Sequence, residues 1–304
     1  MTTQSNTAGA LSVDSEDYPA LYQSANNASS DAQTLHLRTT YSYLILMVVG
    51  ALFAAYSAKS TAVTIISAVF FMTTLGISLL SEWKRHDKVW YKGRAVAESI
   101  KTRSWRYMMN AEPYSVTDPP IKAQHEFCND LAEILSQNNT LSEFMGNGAV
   151  SYDAVTDKMK WVRNLDTPTR LAVYKEHRIE EQRLWYSKKS VENRIMGKRW
   201  FRVMVILHSL AIILLLVQIG YPKLSNLPIE AIIVGATGVL TWIQVKRYQD
   251  NSTVYAFTAH EIVLIRQKSD GITTDKELSD FVKDAENAFS REHTMWVARK
   301  DVSG

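Results

Sequence analysis

Residues 203–222 read VMVILHSLAIILLLVQIGYP, twenty positions without a lysine, arginine, aspartate or glutamate. At about 1.5 Å of rise per residue, a helix of that length covers about 30 Å, the thickness of a bilayer's hydrocarbon core. The run is apolar on every face, which a helix at the surface of a soluble bundle is not. Three more uncharged runs lie at Thr39 to Ala58, Ser60 to Ser81 and Ala231 to Val245. The first two match a span. The last falls short by about a turn and a half unless it extends back through Pro228 and Glu230, so it reads as a span with Glu230 near the far interface. The expected spans are 39–58, 60–81, 203–222 and 226–245. Lys59 alone separates the first pair as a charge and YPKLSNLP the second, so each pair forms a tight hairpin.

Outward from these runs the chain changes character. Over 304 residues it averages 46% hydrophobic and 21% charged, ordinary values for a soluble protein, yet all 34 basic and 31 acidic residues lie outside the four runs. The single cysteine, Cys128, permits neither an internal disulfide nor a thiolate zinc cage, and 7 Pro with 12 Gly is too few for a linker-rich or all-β protein. A net charge of +3 implies no strong attraction to nucleic acid.

Basic residues set the orientation. Arg38, Lys84, Arg85, Lys88, Lys92, Arg94, Lys188, Lys189, Arg194, Lys198, Arg199, Arg202, Lys246 and Arg247 flank the open ends of the hairpins, whereas the hairpin loops carry Lys59 and Lys223. The asymmetry predicts that both termini and residues 82–202 face the cytoplasm. Tyr41, Tyr43, Tyr56, Trp83, Trp200 and Tyr221 fall near the interfaces, as belt aromatics do. The first span follows 38 mostly polar residues without a basic start, which is not a cleavable signal peptide.

Residues 1–17, rich in Ser, Thr and Ala without apolar periodicity, read as disordered. A lead helix is expected from Tyr18 into the first span, and one unbroken helix from the second span to just before Pro113. Asp118 before Pro119 and Pro120 reads as an N-cap, and NNTLSEFMGNGAVSYD as a connector. From Thr167 a long helical pattern runs unbroken into the third span, and the last helix opens with Thr274 and Glu277 in capping-box spacing. The order lead helix, hairpin, Lys-Arg pair and trailing helix occurs twice, with Lys84–Arg85 and Lys246–Arg247 marking a parallel repeat. The expected divisions are a disordered 1–17, a first unit over 18–111, a helical connector over 112–165 and a second unit over 166–304.

Nucleophile elbows, phosphate loops, metalloprotease helices and dinucleotide fingerprints are all missing from the sequence. His125–Glu126 and His260–Glu261 lack a second histidine four residues on, and read as helix-surface dipeptides. In the second span Ser60, Thr64, Ser67, Thr74, Ser78 and Ser81 are spaced 4, 3, 7, 4 and 3, one stripe along a helix. In the fourth, Thr237, Thr241 and Gln244 repeat the last three at an offset of 163, with Gly235 and Gly238 alongside. Such faces serve close helix packing, or they line a water-filled path when subunits assemble, with Glu230 at its outer mouth. His208 is expected to point into the bundle, because an unpaired polar group in lipid costs several kcal/mol. Four helices do not enclose a pore, so a channel requires a homo-oligomer.

The helix KRHDKVWYKGRAVAESIKTRSWRYMM, the lead helix RLAVYKEHRIEEQRLWYSKKS and the last helix FVKDAENAFSREHTMWVARK resemble the SLATT family, two-transmembrane effectors associated with bacterial nucleotide-second-messenger systems. The resemblance covers about residues 18–110 and 166–300, a tandem double version. It rests on element order with Tyr91, Arg94, Glu98, Trp105, Tyr174, Arg178, Gln182, Trp185, Tyr186, Glu286, Glu292 and Trp296. It implies an effector that opens a pore in the bacterial inner membrane after a nucleotide signal or an upstream sensor acts, in antiviral defence by abortive infection. It implies no catalytic residue and no cofactor or metal.

The expectation is therefore an all-α membrane protein with two transmembrane helical hairpins and a cytoplasmic helical bundle built from long helices continuous with the spans, internally duplicated. Candidate pore-lining or packing residues are Ser67, Thr74, Ser78, Ser81, His208, Glu230, Thr237, Thr241 and Gln244. Candidate signal-receiving residues are Arg94, Glu98, Trp105, Trp185, Glu292 and Trp296. Arg94, Lys101, Arg103 and Arg106 either hold an anionic nucleotide or meet water and anionic headgroups. A non-conducting scaffold that docks a cytoplasmic partner is the alternative function.

Overall fold

The computed structural model describes residues 12–57, 60–117, 119–139, 153–224 and 227–301, and the side chains of 291–301 lie outside that description. Helices dominate. A 3-10 turn at Ser15–Asp17 precedes α1 (Ala20–Ala55), α2 (Thr61–Lys84), α3 (His86–Met108), α4 (Pro120–Gln137), α5 (Asp157–Arg163) and α6 (Thr167–Tyr174). A π-helical segment, Lys175–Glu180, then leads into α7 (Glu181–Gly220), α8 (Ile229–Lys246), α9 (Tyr248–Gln267) and α10 (Asp275–Asp301). The helical stretches containing α1, α2, α7 and α8 are long and apolar enough to cross a membrane, as the uncharged runs predict. Pro228 caps α8, so Glu230 lies in its first turn and the fourth span does extend back to it.

The chain divides into two units, and each draws on both halves of the sequence. One is Met1–Ala32, Asp87–Tyr186 and Phe257–Gly304, and the other is Gln33–His86 and Ser187–Ala256. The first has the conventional core: Ile100, Trp105, Met108, Phe127, Met159, Tyr174, Ile179 and Val282 are all fully buried. This corrects two expectations. Within the stretch 1–17 expected to be disordered, Val13 packs in the core cluster at 4% exposed and Ser15–Asp17 form the 3-10 turn. Residues 112–165 are more than a connector, because Phe127 and Leu131 of α4 and Met159 and Val162 of α5 are buried in the same cluster. The Asp118 cap and most of the NNTLSEFMGNGAVSYD stretch lie outside the described residues.

The helix expected to leave the second span unbroken is interrupted, and so is the one that follows the fourth span. Arg85 (φ 44°, ψ 46°) ends α2 and Arg247 (φ 47°, ψ 43°) ends α8, each in the left-handed region that costs a side-chain-bearing residue roughly 1–2 kcal/mol. Their N–H groups donate to Ser81 O at 3.0 Å and Ile243 O at 2.9 Å, closing the helices before the chain turns. The break falls on the Arg of each Lys-Arg pair. The repeat is structural, with a register of 162 residues, at which buried Ser67 and Thr74 in α2 match buried Ile229 and Ala236 in α8, although buried Ala231 matches exposed Val69. Ser29 Oγ donates to Trp90 O at 2.9 Å and Ser190 Oγ to Ser252 O at 2.8 Å, joining lead helix to trailing helix at corresponding places in each repeat.

Candidate functional site: a buried ion-pair network and the polar faces of the spans

In the core unit, α3, α6, the π segment and α10 meet around one carboxylate. Glu286 is fully buried and accepts four hydrogen bonds. Arg178 Nε donates to Oε1 at 2.9 Å and Nη2 to Oε2 at 2.8 Å, a bidentate pair. The Tyr174 hydroxyl donates to Oε1 at 2.9 Å and the Thr102 hydroxyl to Oε2 at 2.9 Å. The π segment explains how Tyr174 and Arg178 both reach it: i→i+5 bonding widens the turn, so residues four apart lie more nearly one above the other than in an α-helix. Burial alone would push the Arg178 guanidinium down, but the Glu286 carboxylate outweighs it and holds the group above its ordinary value. Burial, then Glu286, pushes the Tyr174 phenol well up. Both stay protonated across the physiological range.

Trp105, fully buried, stands edge-on to Tyr174 at 5.6 Å, and Arg178 lies over the Phe289 ring at 4.9 Å. Among the expected signal-receiving residues, Arg94 pairs with Glu98 at 2.7 Å on α3, and Trp185 is 40% exposed, edge-on to Tyr186. Glu292 and Trp296 lie on α10, where side chains are outside the description. The four basic residues considered for a nucleotide take separate partners. Lys101 is buried with Nζ 5.5 Å from the Tyr18 ring centre, Arg103 pairs with Asp130 at 3.2 Å, and Arg106 donates to Asn287 at 2.7 Å. Burial pushes the Lys101 ammonium down, and nearby Arg178 adds to that shift.

Two further buried arginines close the end of α3. Arg163 Nη1 donates to Tyr107 O at 2.7 Å and Tyr114 O at 3.1 Å, and Arg170 Nη1 to Met109 O at 3.1 Å while its Nη2 pairs with Asp275. They add side-chain donors to backbone carbonyls at and just beyond the buried end of the helix. Arg163, Arg170 and Thr102 carry no expectation from the sequence, and Arg178 and Glu286 enter it only among the residues of the family resemblance. Their signal is a charge interrupting an apolar stripe: Arg178 follows Leu171 and Tyr174, and Glu286 sits between Val282 and Phe289.

In the span unit the polar positions separate. Ser67 is buried and donates to Gly50 O at 3.0 Å, across the first hairpin. Thr74 is buried and donates to Phe71 O at 2.8 Å in its own helix. Ser78 is exposed and Ser81 half-buried. Thr237 and Gln244 are exposed, and half-buried Thr241 donates to Thr237 O at 3.0 Å. The offset of 163 proposed for the two stripes does not hold. At the structural register of 162, Thr74 corresponds to Ala236, and Thr237 lies one residue on, about 100° around the helix. His208 does not point inward: it is exposed, with Nδ1 2.9 Å from Met204 O, the i−4 carbonyl supplying the partner expected from the bundle. Glu230 is likewise exposed.

Comparison with known families divides the chain where the repeat does. Residues 19–171 match the family model described as SMODS and SLOG-associating 2TM effector domain 3, and residues 174–296 match that of SMODS and SLOG-associating 2TM effector domain 1. The first match takes in α4 and α5, in keeping with their place in the core. No curated protein and no solved structure matches.

Proposed function

We propose that this chain, which belongs to the SLATT family and carries two of its two-transmembrane units in tandem, is a non-enzymatic effector of a bacterial defence or stress-signalling system. As a homo-oligomer in the inner membrane, with both termini cytoplasmic, it opens a conduit when a nucleotide messenger or a sensor protein acts on its cytoplasmic helices, in keeping with antiviral abortive infection. The observation that carries this reading is the exposure of Glu230, Thr237 and Gln244, spaced seven apart along the segment that forms the fourth span. A lone chain would present these groups to hydrocarbon, whereas copies assembled around water would hydrate them. The basic residues flanking the hairpins support the orientation. The Arg178 network lies immediately before α7, which contributes to both units without a break, as α1 does.

The test is dye release from vesicles reconstituted with the full chain, and membrane depolarisation in cells expressing it. Thr237→Leu with Gln244→Leu is expected to abolish release while leaving assembly intact, since both positions are exposed and leucine disturbs no packing there. Release that survives those substitutions would reassign the face to helix packing. Absence of release together with absence of depolarisation on infection or messenger addition would overturn the conduit.

A further inference from the structure

We propose that the groove between α1, α7 and α8 is a binding site for one anionic phospholipid, with an acyl chain in the groove and the phosphate at its aromatic, basic end. The groove encloses about 420 Å³ and is lined by apolar side chains that include Leu44, Val48 and Leu52 of α1, Leu207 of α7 and Ile232 and Val239 of α8. Among the described residues, no lysine, arginine, aspartate or glutamate lines it. Since a methylene fills about as much space as a liquid water, about 30 Å³, the volume suits a chain of roughly a dozen carbons or more. Two glycines keep it open. A Cβ on Gly235 would come to 3.9 Å of Val48 Cγ2, and one on Gly238 to 3.8 Å of Leu44 Cδ2, so a methyl fits and a larger side chain would fill the slot.

One end is marked by aromatics. Tyr41 meets Trp242 at 5.9 Å and Trp200 meets Trp242 at 6.4 Å, the ring types that settle at headgroup level. Each helix brings a cation to that end. Arg38 stands one turn before Tyr41, Arg199 adjoins Trp200, and Lys246 lies one turn after Trp242 with Nζ 5.9 Å from its ring centre. No acidic residue occurs between Asp31 and Glu82, between Glu192 and Glu230 or between Glu230 and Asp250, so these helices do not neutralise those cations themselves. An apolar slot with Lys246 beside its end tryptophan, and with Arg38 and Arg199 within a turn of Tyr41 and Trp200 along their helices, complements an acyl chain carrying a phosphate.

The full chain reconstituted in phosphatidylcholine vesicles, doped with phosphatidylglycerol bearing a photoactivatable acyl chain, tests the proposal by mass-spectrometric mapping of labelled peptides. Labelling is expected within 44–52 and 235–242, competed by unlabelled phosphatidylglycerol and not by phosphatidylcholine. It should fall about fivefold for each of Arg38→Ala, Arg199→Ala and Lys246→Ala. Gly235→Leu with Gly238→Leu should remove it, while Gly235→Ala, whose methyl fits, keeps it and reports an intact fold. Labelling spread evenly over the exposed faces of α2 and α7 and indifferent to the glycine variants would overturn the site. Equal competition by the two lipids would overturn the anionic headgroup. Interchain disulfides formed by Val48→Cys in a Cys128→Ala background would place a second copy in the groove and also overturn the proposal.

Discussion

Replacing Glu286 with glutamine tests whether the ion-pair network holds α10 to the rest of its unit. The substitution keeps the shape but removes the charge, and leaves the Arg178 guanidinium, 1% exposed, without a counter-ion in a site that solvent does not screen. It also replaces one acceptor oxygen with a donor that faces Arg178 and Thr102. Breaking a buried pair from one side costs about 3–5 kcal/mol, which is about two to three and a half powers of ten in a local opening equilibrium. The assay is hydrogen–deuterium exchange of the full chain in lipid nanodiscs. Amides over 171–180 and 278–289 are expected to lose protection by about a hundredfold or more, with those of the spans unchanged. Arg178→Met with Glu286→Leu should recover at most part of the loss, by removing the uncompensated charge, since an apolar pair of similar volume can replace a buried ion pair. Recovery should stop short by about 1–3 kcal/mol for each of the Tyr174 and Thr102 hydroxyls left without an acceptor. A change of less than about threefold in Glu286→Gln would refute the reasoning, because an uncompensated buried charge cannot be that cheap.

Arg85→Gly and Arg247→Gly should each raise stability by about 1 kcal/mol by relieving a left-handed residue, whereas the alanine variants, which keep a Cβ, should not; thermal unfolding distinguishes them. Ser67→Ala should cost about 0.6 kcal/mol for its bond to Gly50 O. Gly50→Ala should cost about 1–3 kcal/mol, because its Cβ would stand 3.2 Å from Phe70 Cβ and Phe71 Cε1. At the start of α10, backbone N–H groups of Thr273 and Thr274 hold the Glu277 carboxylate down at about 2 against an ordinary 4.5. The folded value is depressed, so the unfolded chain binds more protons and the cap's contribution is complete above about pH 4.5 and lost as pH falls toward 2. Carboxyl titration by NMR should show the low midpoint, and Glu277→Gln should remove that part of the acid sensitivity; an ordinary midpoint would refute the cap.

Much of the architecture was legible because its causes are local. Span length, uncharged composition and flanking basic residues are set by the bilayer as solvent and require no tertiary contact. The capping box at Thr274 and Glu277 lies within four residues and appears as read. The site was less legible. Stripe residues on α2 and α8 share a spacing, but spacing along one helix does not say which neighbour a face meets, and Ser67 ended against Gly50 while Ser78 remained exposed. His208 was placed inward on the cost of an unpaired polar group, and its own helix met that cost through the Met204 carbonyl.

By itself the sequence determined an all-α membrane protein with two hairpins and a duplicated order of elements, since helix length and hydropathy are summed along the chain. Only the tertiary structure decided that Arg178 and Glu286, 108 residues apart, share one buried site, that α4 and α5 belong to the core, and that each Lys-Arg pair breaks its helix. Those outcomes depend on which distant groups desolvate one another. The energy of an arginine is set by whether a carboxylate lies beside it, and no window of sequence contains both.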